Sequence, residues 1–224
     1  MMKEIRIAID GPAAAGKSTI AKLVAEKLGY TYIDTGAMYR ALTYKAIGAG
    51  IDLDKAAGVE ALLPGTVIEL KAGDKGQTVW LDGHDVTDEI RTDAVTNGVS
   101  AVSAHPGVRA YMVDAQRKMA EEGGVVMDGR DIGTAVLPDA ELKVFMTASV
   151  EERARRRHAE NLRRGFESSL EQLAQEIALR DKKDSEREIS PLTQAEDAVL
   201  LDTTTMSISE AADAIMELVR EKVD

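Results

Sequence analysis

Between Asp10 and Thr19 the chain reads Gly11-Pro12-Ala13-Ala14-Ala15-Gly16-Lys17-Ser18, which fits G-x-x-x-x-G-K-[ST], the pattern of a loop that wraps a phosphate. Such a loop works in one setting: a strand delivers it and a helix starts at its lysine. Both flanks comply. Ile5, Ile7 and Ile9 precede it as a short β-type run, and Ile20, Leu23, Val24 and Leu28 follow at helical spacing. The glycines let backbone N–H groups curl round an anion, and the helix N-terminus adds a positive dipole end. Lys17 would reach the β and γ phosphates of a bound nucleotide. The Ser18 hydroxyl would ligate Mg2+, with Thr19 beside it at the start of the helix.

At 224 residues the chain has room for one α/β domain with insertions. Lys and Arg number 28 against 39 Asp and Glu, a net charge of −11. That field repels phosphate at long range, so a nucleic-acid or anionic-membrane surface is not expected, and an anionic substrate must be held by clustered arginines. There is no cysteine, which removes disulfides, thiolate metal sites and a cysteine nucleophile. His84, His105 and His158 have no partners at metal-ligand spacing. The start, Met1-Met2-Lys3-Glu4-Ile5-Arg6, does not read as a signal peptide, and no apolar run approaches membrane-spanning length. A cytoplasmic monomer is expected.

Strand, loop and helix lead to a second strand, Thr31–Asp34, entered through Gly29, which suits the residue just past a helix end. Asp34-Thr35-Gly36 then turns into a helix reaching about Gly48. Further on the pattern changes. Val67–Lys71 alternates, Gly73–Gly76 is a turn, Thr78–Leu81 a strand, Asp82-Gly83 a tight hairpin turn, and His84–Val86 a short strand. A small antiparallel meander inside an α/β pattern points to an inserted subdomain. Helices are expected at Asp93–Ser103 and Val108–Glu121, and strands at Val125–Asp128, Leu142–Met146 and Ala198–Asp202. Ser149–Glu152 and Ser168–Glu171 start two further helices, and Ser209–Val223 forms the last. Strands alternating with helices imply a parallel sheet covered on both faces.

Chemistry-bearing residues cluster after the strand at Val125. That strand delivers Asp128-Gly129-Arg130-Asp131 to the carboxyl edge of the sheet, where open α/β folds bind ligands. Asp128 stands where a Walker-B carboxylate would, suited to hold a magnesium-bound water. The same residues would also serve as a polar turn with an internal ion pair. Arg180, Asp184 and Arg187, spaced four and three apart, share one helical face, an arrangement equally at home in a surface ion-pair ladder. Arg153, Arg155, Arg156 and Arg157 cover several faces of their helix. They suit a lid over transferring phosphates or a solvated face. Arg40, one turn into its helix, could supply a bidentate guanidinium to a phosphate.

Taken together, Gly11–Ser18, Asp34–Arg40, Asp128–Thr134 and Arg180–Arg187 resemble, in order and spacing, the bacterial cytidylate kinases of the nucleoside monophosphate kinase group. The resemblance covers essentially the whole chain. It implies a three-layer P-loop α/β fold with a mostly parallel five-stranded central sheet, a small α+β monophosphate-binding insert and a helical lid. On this basis residues 1–59 and 111–224 form the core, with the lid near 153–168, and residues 60–110 the insert. The implied activity is phosphoryl transfer from ATP to CMP and dCMP, with Mg2+. Gly11, Pro12, Ala13, Ala14, Ala15, Gly16, Lys17, Ser18 and Thr19 would hold ATP, and Ser18 and Asp128 the metal. Arg40 and Arg130 would grip the CMP phosphate beside Thr35. Ser100 and Arg109 would read the cytosine edge. Asp131, Arg180 and Asp184 would reach the ribose, and Arg187 the base and phosphate. Lys17, Arg130, Arg153, Arg156 and Arg157 would stabilise the transferring group. Rival readings are a kinase for UMP or AMP, a P-loop switch or binding protein, and an ATP-dependent RNA modifier. The chain lacks the N-K-x-D or T-K-x-D segment by which P-loop GTPases read guanine, and its acidity weighs against RNA.

Overall fold

Ile7 and Ile9 are fully buried and alternate with Ala8 in the first strand, β1 (Arg6–Asp10). An apolar strand without a polar face must be covered on both sides. The computed structural model, which describes residues 4–73, 76–163 and 165–223, divides into two compact units: 1–32 with 122–224, and 33–121. Asp74 and Lys75 of the expected turn, Arg164, and Met1–Lys3 lie outside the described residues. In the first unit β1 is followed by α1 (Lys17–Leu28), which ends on Gly29 with φ 68°, and by β2 (Thr31–Asp34).

The second unit opens with α2 (Thr35–Gly48), capped by Asp34, whose carboxylate accepts the Ala37 N–H. A short helix α3 (Ala56–Glu60) follows, then β3 (Ile68–Gly73), β4 (Gly76–Leu81) and β5 (His84–Asp85), paired antiparallel in that order. Asp82 and Gly83 both take positive φ, 51° and 83°, as the two-residue turn expected there requires. Helices α4 (Asp93–Val102) and α5 (Pro106–Met119) complete the unit. This unit begins well before residue 60 and ends after 110. The reason is apolar. Ala37 and Ala41 of α2 pack with Val79, Leu81, Val86 and Ile90, while Met38 and Leu42 pack with Val99, Val102, Val108 and Met112.

The chain then returns to the first unit with β6 (Val125–Asp128), β7 (Leu142–Thr147), α6 (Val150–Arg163), α7 (Leu170–Glu186), β8 (Val199–Asp202) and α8 (Ile208–Val223). The five-stranded central sheet has the order β2-β6-β1-β7-β8 and is parallel throughout. Ile7 and Ile9 meet Ile20 and Val24 of α1, Val126, Val144 and Ile215 in one core cluster. Burying each such side chain is worth roughly 2 kcal/mol. The edge strand β8 is largely exposed, with Leu200 at 57%.

Gly11 has φ 146°, and a Cβ built there would stand 1.9 Å from the Met146 carbonyl oxygen. Gly98, within α4, would meet only the flexible tip of Leu53 at 2.4 Å and Thr43 at 3.3 Å. Gly11→Ala should therefore cost about 3 kcal/mol or more, since backbone cannot yield. Gly98→Ala should stay within about 1 kcal/mol, the helix propensity of alanine offsetting a rotamer change in Leu53. Urea denaturation of the two variants checks the contrast.

Candidate active site

β1 stops at Asp10, and the phosphate loop turns immediately into α1. Gly16 caps that helix in the left-handed region, φ 88°, and no side chain caps its first amides. Those amides are the natural seat of an anion. Lys17 lies folded inside the loop, 5% exposed, its Nζ donating to the Pro12 carbonyl at 2.7 Å. Burial and then the neighbouring Arg130 hold its pKa well below the ordinary lysine value, against the opposite pull of Asp128 and Asp10.

Parallel pairing of β1 with β6 sets Ile9 beside Asp128, which brings that carboxylate to the same edge as the loop. Ser18 Oγ donates to Asp128 Oδ2 at 2.9 Å, and the Tyr32 hydroxyl donates to Oδ1 at 2.7 Å. Asp10 is buried as well. Its Oδ1 accepts the Ile132 N–H at 2.8 Å and its Oδ2 the Gly133 N–H at 2.7 Å. Burial pushes the Asp10 carboxyl up to about 6 even though those two amides favour its charged form.

Past Asp128 the loop presents Arg130, whose Nε donates to Asp184 Oδ2 at 2.9 Å, and Asp131, whose Oδ1 lies 3.4 Å from Arg187. Asp184 stays below the usual carboxylate range. Burial raises it, but Arg130 and Arg180 overcome that. Arg180 Nε is buried with no hydrogen-bond partner, and burial followed by repulsion from Arg130 draws its pKa down to about 10. An orphaned guanidinium nitrogen beside a second arginine is a group prepared for an anion or a polar ligand. Arg187 sits just past the end of α7 in extended conformation, φ −63° and ψ 143°, so it reaches Asp131 from outside the helix and not from a shared helical face.

The α6 arginines part company. Arg153 is buried and donates to the Ala148 and Ala13 carbonyls, at 2.9 and 3.0 Å, and to Asp181. Arg156 donates to Ala15 and Thr203. Both therefore brace the backbone of the phosphate loop. Arg157 meets Glu160 at 3.4 Å and is one of the charges that depress Arg180.

Within the second unit, Thr35 is buried at the start of α2. Arg40 NH1 donates to Thr96 Oγ1 at 2.8 Å and the Ile90 carbonyl at 3.3 Å. Arg91 pairs with Asp34 at 2.9 Å. Arg109 is buried, donates to the Ser103 carbonyl at 3.1 Å and lies 5.5 Å from the centre of the Tyr39 ring. Ser100, one turn earlier, accepts the Ser103 hydroxyl on its carbonyl at 3.2 Å.

The pattern of the cytidylate kinases matches residues 7–221. The chain belongs to the cytidylate kinase family. A cytidylate kinase of Geobacillus sp. (strain WCH70) is 60% identical over 223 residues, and one of Lysinibacillus sphaericus (strain C3-41) 62% over 223, each match covering 100% of both chains. Among solved structures, a shikimate kinase from Bacteroides thetaiotaomicron superposes with a TM-score of 0.50 at 16% identity, covering 97% of this chain and 99% of that one. That likeness is of fold alone.

Three residues of this family member go unnoticed in the sequence reading. Asp10 had one signal, a carboxylate ending an apolar strand just before the loop. Tyr32 and Asp181 had none, because their partners, Asp128 and Ala13 with Arg153, are 96, 168 and 28 residues away.

The state of Lys17 generates a linkage effect. A bound polyphosphate favours the charged ammonium, so at about pH 8, above the depressed pKa, binding should take up a proton. Calorimetric titration with ATP in two buffers of different ionisation enthalpy should show net uptake. Lys17→Arg, charged throughout, should abolish it.

Proposed function

We propose that the protein transfers the γ-phosphoryl group of Mg-ATP to CMP, forming ADP and CDP, with dCMP as a second acceptor. One observation carries the reading. The chain matches the cytidylate kinase family from residue 7 to residue 221, and its phosphate loop stands on the sheet edge that also bears Arg130 and Asp131. A nucleotide-dependent switch fits less well, since it would have no use for an acceptor-binding cluster.

An oxygen of the CMP phosphate forms a bond to the γ phosphorus as the bond to the ADP oxygen breaks. That phosphate is already an anion near neutral pH, so little general-base help is needed and alignment with charge stabilisation dominates. Lys17 and the loop amides hold the donor phosphates. Arg130 fixes the acceptor phosphate, a role the family resemblance gives also to Arg40 with Thr35. Asp131, Arg180 and Asp184 hold the ribose, Arg187 the base and phosphate, and Ser100 and Arg109 the cytosine edge. Arg153, Arg156 and Arg157 neutralise charge on the transferring group, and the bonds of Arg153 to Ala13 and of Arg156 to Ala15 also support holding the loop in shape. Mg2+ suits the hard oxygen pair Ser18 and Asp128. It is commonly held by one or two carboxylates plus substrate phosphates, and when bound it supplies charge neutralisation. No helix among the described residues is long and apolar enough to cross a membrane. We read the protein as a cytoplasmic monomer acting on small molecules.

ADP release from Mg-ATP against CMP, dCMP, UMP, AMP and GMP, with a no-acceptor control, tests the reading. Turnover on the cytidine nucleotides alone is expected, and acceptor-independent or absent turnover would overturn it. Lys17→Ala should lower kcat by roughly 100-fold or more with CMP affinity retained. Arg109→Ala should relax discrimination against UMP by about ten-fold or more, because an unpaired base edge then loses its cost.

A further inference from the structure

The segment 129–133 is fastened to β1 at both ends. At one end the Gly129 N–H donates to the Ile9 carbonyl at 3.0 Å. At the other, Asp10 takes the Ile132 and Gly133 N–H groups on its two carboxylate oxygens, across more than 120 residues of sequence. Arg130 and Asp131 are the two residues left between these anchors. Ile132 and Gly133 open a single π-turn, Ile132–Val136, and the amides that open such a turn have no partner within it. Asp10 fills that role from another strand.

The fit is close. Gly133 has no Cβ, and one placed there would lie 3.4 Å from Asp10 Oδ2 and 3.1 Å from Lys143 Cδ. The next residue after Asp10 is Gly11, the first of the phosphate loop. One residue therefore carries the donor-side loop on its backbone and the Arg130–Asp131 loop on its side chain.

We propose that Asp10 is a positioning residue for phosphoryl transfer, fixing Arg130 and Asp131 in register with the phosphate loop so that the acceptor phosphate lies in line with the donor. The inference rests on the kinase reading above. An error of about 1 Å between donor and acceptor groups can cost a hundred-fold in rate, so a rigid link of this kind bears on catalysis through the residues it holds. A buried carboxylate is an expensive connector unless both of its oxygens are used, and here both are.

The test is steady-state kinetics of D10N with CMP and ATP varied in turn, beside circular dichroism and ATP affinity by calorimetry. The asparagine keeps the shape but sets its NH2 against a backbone N–H, so one anchor is lost. The expected result is a loss of about ten-fold or more in kcat/KM for CMP, with ATP affinity within about three-fold of wild type. A residue that serves folding alone would lower the active fraction and leave both KM values unmoved. That outcome, or equal losses toward both nucleotides, overturns the proposal. Should D10N not fold, Gly133→Ala decides. Its methyl group crowds Asp10 and Lys143 while Asp10 stays in place, and a CMP-selective loss supports the link where an unselective or absent one overturns it. The wild-type control separates the two readings. Without CMP turnover in wild type it is the kinase reading that fails, whereas CMP turnover without selective loss in the variants removes only Asp10.

Discussion

β1 is hydrogen-bonded to β6 on one side and β7 on the other, and the chemistry of the first unit depends on where that strand ends. Parallel register makes neighbouring strands stop at a common edge. The backbone of Ile9 and Asp10 thereby sets the height of Asp128 on one flank, while the close approach of Gly11 to Met146 sets the path of the chain on the other. A slip of one residue would turn Asp10 out of the interior and part Ser18 from Asp128.

Electrostatics follows from that edge. The chain is acidic overall, yet Lys17, Arg130, Arg180 and Arg187 gather in one unit among Asp10, Asp128, Asp131 and Asp184. Asp184 holds Arg130 in place, and Arg130 with Arg180 keeps Asp184 below the usual carboxylate range against its burial. Lys17 is depressed for the same reason that Arg180 is, since each is both desolvated and close to Arg130. Positive charge that is costly to bury alone becomes less costly when a polyphosphate arrives, and this is how an acidic protein can still take an anionic ligand.

Much of this was legible in the sequence because the signals were local. The glycine pattern with its flanking strand and helix located the phosphate loop, alternation located the meander, and capping serines located α6 and α7, with Ser149 and Ser169 bonding to amides as expected. The reading failed where contacts span the chain. The expected insert at 60–110 lies within a compact unit spanning 33–121, and nothing in α2 itself shows that its apolar face packs with Val79 and Ile90. The arginine run could not say that Arg153 turns inward to Ala13 while Arg157 meets Glu160, since periodicity gives the face of a helix and not what it meets. Arg187 was placed on a helix that had already ended.

Ala13, a residue with no chemistry of its own, has both of its backbone groups held by distant side chains. Its N–H donates to Asp181 Oδ1 at 3.1 Å, its carbonyl accepts from Arg153 at 3.0 Å, and those two side chains are themselves joined. The crest of the phosphate loop is thus laced to α6 and α7 together. A swing of that helical hairpin must either break the lacing at one alanine or drag the loop along with it. The hairpin and the loop behave as a latch and its catch: neither can change position unfelt by the other.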